Sequence, residues 1–113
     1  MPYIAINTSL ELSDSKKEKI KAELGRIMSI IPTKTEAGLF VDFSDGRTQY
    51  KGGIKIDGAF IDLRLFHKSE FEPKKQYASE LFNILIQELG LKKEHIYMNI
   101  SEFENWGSNG EFR

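Results

Sequence analysis

The sequence predicts a single α/β (α+β) domain in which two β-α-β units form one four-stranded mixed sheet with both helices on one face. Three observations support this fold. The order strand, helix, strand occurs twice over segments of similar length, each predicted helix carries one apolar stripe, and 113 residues suffice for one domain with a real core. Right-handed crossovers would then join parallel strands within each unit. We therefore predict one domain over residues 1–113.

The first unit opens with a strand over residues 3–8. A helix follows, capped by Ser13 or Ser15, and it runs to about residue 31, where Pro32 ends it. Its apolar residues recur at spacings of four, three and four, which places them on one face of a helix. This face consists of Ile20, Leu24, Ile27 and Ile31. The second strand covers residues 39–43.

The second unit opens with the clearest strand of the chain, residues 59–66. Its helix has Pro73 in the first turn and ends at Gly90, and the fourth strand covers residues 96–101. The predicted buried stripe of this helix is Ala78, Leu81, Leu85 and Leu89, widened by Phe82 and Ile86. Between the two units, the Gly52-Gly53 pair predicts a loop or bulge rather than a phosphate cradle.

Alternation along residues 59–66 separates two faces of the sheet. The helix-facing set is Ala59, Ile61, Leu63 and Leu65, and the opposite set is Phe60, Asp62, Arg64 and Phe66. No predicted element covers the second set, in which Asp62 and Arg64 are placed to form an ion pair. A mixed apolar and charged face left open in so small a domain predicts a partner, most simply a copy of the same chain.

Composition excludes several functions. The formal net charge of -1, from 16 basic and 17 acidic side chains, gives no general attraction to nucleic acid or to an acidic membrane. The absence of cysteine excludes disulfides, thiolate zinc sites and cysteine nucleophiles. His67 and His95 lack a third ligand, so no metal site is expected. No basic segment followed by an apolar run opens the chain, which predicts a cytoplasmic protein.

The first candidate for a catalytic residue is Pro2. Removal of Met1 would leave Pro2 with a free secondary amine at the start of a strand. Burial disfavours the charged form of an amine and lowers its pKa toward the working pH, as a base that moves protons to and from carbon requires. A Met-Pro start is common in proteins, and alone it is weak support for this function.

Several motifs in this order give the sequence its resemblance to the tautomerase superfamily, specifically the macrophage migration inhibitory factor branch. They are Met1-Pro2, Asn7-Thr8, Gly52-Gly53, Ile96-Tyr97-Met98-Asn99 and the segment from Trp106 to Phe112. The resemblance implies a homotrimer whose sheets form a central barrel, with active sites at the subunit interfaces. It also implies keto–enol tautomerisation of phenylpyruvate-like α-keto acids, without a metal or organic cofactor.

The resemblance also assigns site residues. Pro2 would be the catalytic acid and base, and Tyr97 and Asn99 would reach in from a neighbouring subunit. The remaining substrate-binding residues would be Lys34, Phe66, Trp106 and Phe112. Lys34 would bind the substrate carboxylate or oxyanion.

The sequence departs from the family's pattern at three places near this site. Thr33 and Thr35 flank Lys34 where the family usually has glycine and proline, which predicts a different loop. Gly38 stands where an aromatic residue is common. Phe66-His67 replaces isoleucine and glycine, and this larger side chain predicts a narrower pocket. The departures bear on substrate size and rate, not on the fold.

Two further hypotheses stay open from the sequence. The Pro2 base would also serve decarboxylation or hydration of a small oxo-acid, with Arg64 as a candidate second cation. Alternatively, the chain would be a cytokine-like signalling protein that binds a protein receptor, has vestigial tautomerase activity and leaves the cell without a signal peptide.

Overall fold

A computed structural model describes all 113 residues and confirms the predicted architecture. The four strands of the main sheet are β1 (Pro2–Thr8), β2 (Phe40–Ser44), β5 (Ala59–Phe66) and β6 (Ile96–Phe103). Along the chain, a hairpin of β3 (Gln49–Lys51) and β4 (Ile54–Ile56) lies between β2 and β5. The two helices are α1 (Asp14–Ile27) and α2 (Phe71–Leu89). Neither helix is long and apolar enough to cross a membrane.

The sheet is mixed, with the strand order β2-β1-β5-β6. β1 pairs with β2 and β5 with β6 in parallel, as each β-α-β unit predicts, while β1 and β5 join the two units in antiparallel register. This register sets Pro2 opposite Leu65 and Tyr3 opposite Arg64. The start of the chain is therefore fixed against the end of β5.

The core lies between the sheet and the two helices. Burial along β5 alternates as predicted: the helix-facing residues of this strand are buried. The fully buried side chains of the strands and helices include Ile4, Ile6, Ile61, Leu63, Leu65, Ile20, Leu24, Leu81 and Leu85. At about 1.5–3 kcal/mol for each buried aliphatic side chain, this layer is the main source of stability.

Both helices differ in detail from the sequence prediction. α1 ends at Ile27 and continues as a 3₁₀ turn over Met28–Ile30, although Ile31 is still buried as predicted. In α2 the buried face holds Tyr77, Leu81, Ile84 and Leu85, so Ala78 and Leu89 lie at its margins. The face is centred about one residue earlier than the predicted stripe.

Short hairpins complete the chain. Gly52 and Gly53 form the turn between β3 and β4, with φ angles of 60° and 80°, so the predicted loop is present. The flanking strands were missed because each has three residues, none of them buried, and so shows no hydrophobic alternation. A second hairpin, β7 (Gly107–Ser108) and β8 (Glu111–Phe112), lies in the segment that the sequence left as a tail.

The open face of the sheet agrees with prediction at three of its four positions. Phe60 is 45% exposed, and Arg64 binds Asp62 through an ion pair of 2.9 Å, which confirms the predicted pairing. Phe66 is the exception, because it is only 9% exposed. Its ring packs against His67 and Trp106, contacts that the alternation of β5 cannot reveal.

One buried polar group in the core has no partner. The Tyr77 hydroxyl is fully buried, accepts and donates no hydrogen bond, and burial raises the pKa of this phenol. Removing an unsatisfied buried hydroxyl relieves a desolvation penalty of about 1–3 kcal/mol.

We therefore expect Tyr77→Phe to raise the free energy of unfolding by about 1 kcal/mol in urea denaturation. The exposed Tyr50→Phe should leave it unchanged; a loss of stability in Tyr77→Phe would contradict this.

Candidate active site

Pro2 is buried at the start of β1, beside a cavity of about 610 Å³. This size lies within the range of small-molecule sites. The predicted site residues Pro2, Trp106 and Phe112 line it, together with Met1, Tyr3, Phe40, Arg64 and Phe103. The walls are mainly aromatic, and Arg64 is the one charged side chain among them.

Lys34 is a buried cation whose charge acts on the amino group at the start of the chain, although it does not line the cavity. Only 7% of the residue is exposed, and its Nζ donates a hydrogen bond of 2.7 Å to the carbonyl oxygen of Phe66. It forms no ion pair with any residue of the chain. Because burial of a charge without a counterion is costly, an ammonium group held in this way favours the binding of an anion. Lys34 is therefore not one of the ordinary surface lysines of the chain.

The amino group at the start of the chain lies in a positive environment. The pKa of the Met1 amine is lowered from 8.0, first by burial and then by the positive charges of Lys34 and Arg113. Both effects favour the neutral amine. The neutral form is the one that can accept a proton.

The residues adjacent in sequence to Lys34 and to its acceptor Phe66 have a left-handed backbone. Thr33 and His67 both have φ angles of 70°, a left-handed conformation that costs a residue other than glycine of order 1–3 kcal/mol. Thr33 directly precedes Lys34, and His67 directly follows Phe66. The loop before Lys34 thus adopts the left-handed backbone that glycine allows, although a threonine occupies the position.

Phe66 does not narrow the cavity as the sequence predicts, and Gly38 leaves space beside Pro2. The Phe66 ring stacks on His67 at 3.7 Å and lies 6.1 Å from the Trp106 ring, and it does not line the cavity. Gly38 lies beside the proline, where an added Cβ would come within 3.8 Å of the Pro2 Cδ. The missing side chain at Gly38 therefore leaves space next to the proline nitrogen.

Trp106 is held by the β7–β8 hairpin. Its backbone N–H donates to the carbonyl of Arg113 at 2.7 Å, and the Arg113 N–H donates back to the Trp106 carbonyl at 3.0 Å. This pair of hydrogen bonds closes the hairpin and brings Arg113 to the same end of the sheet as Pro2. Trp106 also packs against Phe103, the last residue of β6, with ring centroids 6.1 Å apart.

Tyr97 and Asn99 do not join this cluster within one chain. They lie on the open face of β6, opposite Phe60 and Asp62, toward the other end of the sheet from Pro2. The Tyr97 ring contacts the Lys51 ammonium at 5.1 Å. Their arrival from a neighbouring subunit stays a prediction.

Sequence reasoning missed several residues beside Pro2. Tyr3, Phe40 and Phe103 were not named, because their proximity depends on the register between strands. Arg113 has no sequence signal at all: only the closed hairpin brings it to the site. Arg64, which the sequence offers as a candidate second cation, lies in the wall of the cavity.

Comparison with solved structures identifies the fold. No family model matches the sequence, and no curated protein matches it. Among solved structures, Leishmania major MIF2 has a TM-score of 0.92 at 22% identity, covering 100% of this chain and 97% of that one. A macrophage migration inhibitory factor-like protein from Entamoeba histolytica has a TM-score of 0.86 at 22% identity, covering 99% and 98%. Pt0534, crystallised after inactivation by 2-oxo-3-pentynoate, has a TM-score of 0.84 at 15% identity, covering 96% and 93%.

These similarities extend over nearly the whole of both chains in each comparison. The chain therefore has the fold of the macrophage migration inhibitory factor proteins, and the resemblance seen in the sequence is confirmed at the level of the fold. At such low identity the chemistry must be argued from the residues around Pro2.

Proposed function

We propose that this chain belongs to the tautomerase superfamily, in its macrophage migration inhibitory factor branch, and that it is a keto–enol tautomerase acting on phenylpyruvate-like α-keto acids. The observation that carries the proposal is a buried Pro2 at a chain start whose amine feels the charge of a buried Lys34 that has no counterion. A base and an unpaired cation are what abstraction of a proton next to a carbonyl requires.

The proposed reaction begins with loss of Met1, which frees the nitrogen of Pro2. The neutral amine takes a proton from the carbon next to the substrate carbonyl, and the electron pair of that C–H bond moves to form an enolate. The positive charge of Lys34 stabilises the developing oxyanion. The prolinium then returns its proton to the enolate oxygen, which gives the enol and restores the neutral amine. The reverse direction uses the same groups.

The electrostatics of the site suit this role. Burial and the charges of Lys34 and Arg113 lower the pKa of the Met1 amine, and the nitrogen of the buried Pro2 would lie one residue further into the same environment. Each of these effects disfavours prolinium. A larger share of the protein then holds the free base near neutral pH.

The substrate class follows from the walls of the cavity and from a neighbour in fold. The aromatic side chains of Phe40, Phe103, Trp106 and Phe112 favour an aryl ring, which packs well against such surfaces. Inactivation of Pt0534 by 2-oxo-3-pentynoate supports a 2-oxo acid as the reacting group.

A homotrimer completes the proposal. The exposed Phe60 and the open face of the sheet favour a partner, and the chain's own Tyr97 and Asn99 lie away from Pro2. In a trimer, these two side chains would reach the Pro2 site of a neighbouring copy. Asn99 would donate a hydrogen bond to the substrate, and Tyr97 would pack against its ring.

The test is ketonisation of phenylpyruvate enol, followed by absorbance, in the wild type and in Pro2→Gly. Glycine keeps an amine but loses the fixed ring, so kcat/KM should fall by about 100-fold, within the range that a positioned base contributes. Pro73→Ala, a proline substitution in the first turn of α2, serves as the control and should retain activity. Equal rates in wild type and Pro2→Gly would refute the proposed function.

A further inference from the structure

Arg113 is a free cation at the edge of the Pro2 site: it follows Phe112 of the cavity wall and its charge acts on the Met1 amine, although Arg113 itself does not line the cavity. Its guanidinium carbon lies 5.9 Å from the centroid of the Phe66 ring, in a cation–π contact. It forms no ion pair and no side-chain hydrogen bond within the chain, so all five of its N–H donors lack a protein acceptor. Its backbone is nevertheless fixed by the two hydrogen bonds to Trp106.

The other two cations near Pro2 are already engaged. Arg64 is committed to both carboxylate oxygens of Asp62, with contacts between 2.9 and 3.4 Å. Lys34 is buried and donates to the Phe66 carbonyl. Its ammonium group is a point charge, whereas a guanidinium offers a planar pair of donors. Arg113 alone offers a free guanidinium, whose planar geometry matches a carboxylate through two parallel hydrogen bonds.

Phe66 contacts both Lys34 and Arg113. Its carbonyl accepts from Lys34, and its ring lies under Arg113. An α-keto acid carries a carbonyl oxygen and a carboxylate on adjacent carbons, so two cations positioned by one residue suit the two groups of one substrate.

We propose that Arg113 is the carboxylate-binding residue of this site, which leaves Lys34 to stabilise the oxyanion and restricts the substrates to α-keto acids over their esters and other neutral ketones. The inference rests on the proposed function for its reaction. The binding of an anion by Arg113 is independent of turnover and can be measured alone.

The experiment compares phenylpyruvate with its methyl ester in wild type, Arg113→Gln and Arg113→Lys. The wild type should prefer the acid in kcat/KM. Arg113→Gln should lower kcat/KM for the acid by about 10- to 100-fold, as expected for loss of a charge-assisted pair, and should change it for the ester by less than about 3-fold. Arg113→Lys keeps the charge but loses the paired geometry of the guanidinium. Its kcat/KM for the acid should therefore lie between that of the wild type and that of Arg113→Gln.

A matched control and a binding measurement complete the test. Arg47→Gln removes an arginine from the turn after β2, where Arg47 donates its backbone N–H to Thr8 at the far end of β1, and it should leave the acid-to-ester ratio unchanged. Binding of 3-phenylpropionate and of its primary amide, followed by NMR titration, reports the carboxylate preference without any reaction. Arg113→Gln should abolish this preference.

The outcomes separate this inference from the proposed function. If no variant turns over phenylpyruvate but Arg113→Gln loses the preference for 3-phenylpropionate over its amide, the tautomerase proposal fails and the carboxylate site stands. If Arg113→Gln keeps the wild-type preference for the acid in both measurements, or the wild type shows none, Arg113 is not the carboxylate-binding residue.

Discussion

Extension of the chain by one residue before Pro2 is expected to lower kcat/KM for phenylpyruvate by at least about 100-fold. The extension turns the proline nitrogen into an amide, whose lone pair is delocalised into the peptide bond and cannot act as a base. Mass spectrometry of the purified protein checks that the added residue is retained. If the extension is built so that a protease can remove it, cleavage should restore the rate.

Steric blocking is the competing explanation for such a loss, because Met1 itself lines the cavity and is 44% exposed. Binding of 3-phenylpropionate to the extended protein separates the two explanations. Retained binding with lost turnover assigns the effect to the amine, whereas loss of binding assigns it to the occupied cavity. Full activity in the uncleaved protein would remove Pro2 from the mechanism.

Substitution of Lys34 by methionine is expected to lower kcat/KM by about 100-fold for phenylpyruvate and for its methyl ester alike. The reason is that removal of one group that stabilises an oxyanion typically costs this much, whatever the charge elsewhere on the substrate. Loss of activity toward both substrates distinguishes Lys34 from Arg113, whose loss should affect the acid alone.

Stability must be measured beside the rate in Lys34→Met. The substitution removes a buried charge but leaves the Phe66 carbonyl without its donor, and these opposing effects should keep the free energy of unfolding within about 1 kcal/mol of wild type. Lys55→Met is the control, because Lys55 is exposed in β4 and does not line the Pro2 cavity. A fully active Lys34→Met would contradict the oxyanion role.

The fold was predictable because its strongest signals are local. The alternation of residues 59–66 and the helical spacing of Ile20, Leu24 and Ile27 depend only on the geometry of a strand and a helix. The three-residue strands β3 and β4 escaped prediction because none of their side chains is buried and they carry no such pattern.

The site was predictable only in part, because its geometry depends on contacts between distant segments. The resemblance pointed to Lys34, but its burial and its bond to the Phe66 carbonyl, 32 residues away, require the folded chain. Phe66 follows a pattern that predicts an open face, yet aromatic neighbours cover its ring. Arg113 comes to this end of the sheet only through the pairing of its backbone with Trp106, which no sequence pattern predicts.

The measurement that tests the central claim most directly is an NMR titration of the Pro2 nitrogen, compared with the pH dependence of kcat/KM. Since the neutral amine is the base, kcat/KM should rise as pH increases through the pKa of Pro2. Burial, Lys34 and Arg113 lower the pKa of the Met1 amine, and we expect them to lower the pKa of the freed Pro2 nitrogen below that of a solvent-exposed terminal proline, with both inflections at the same pH. A Pro2 nitrogen with a pKa no lower than that of a solvent-exposed terminal proline, or a rate that changes at a different pH, would contradict the account.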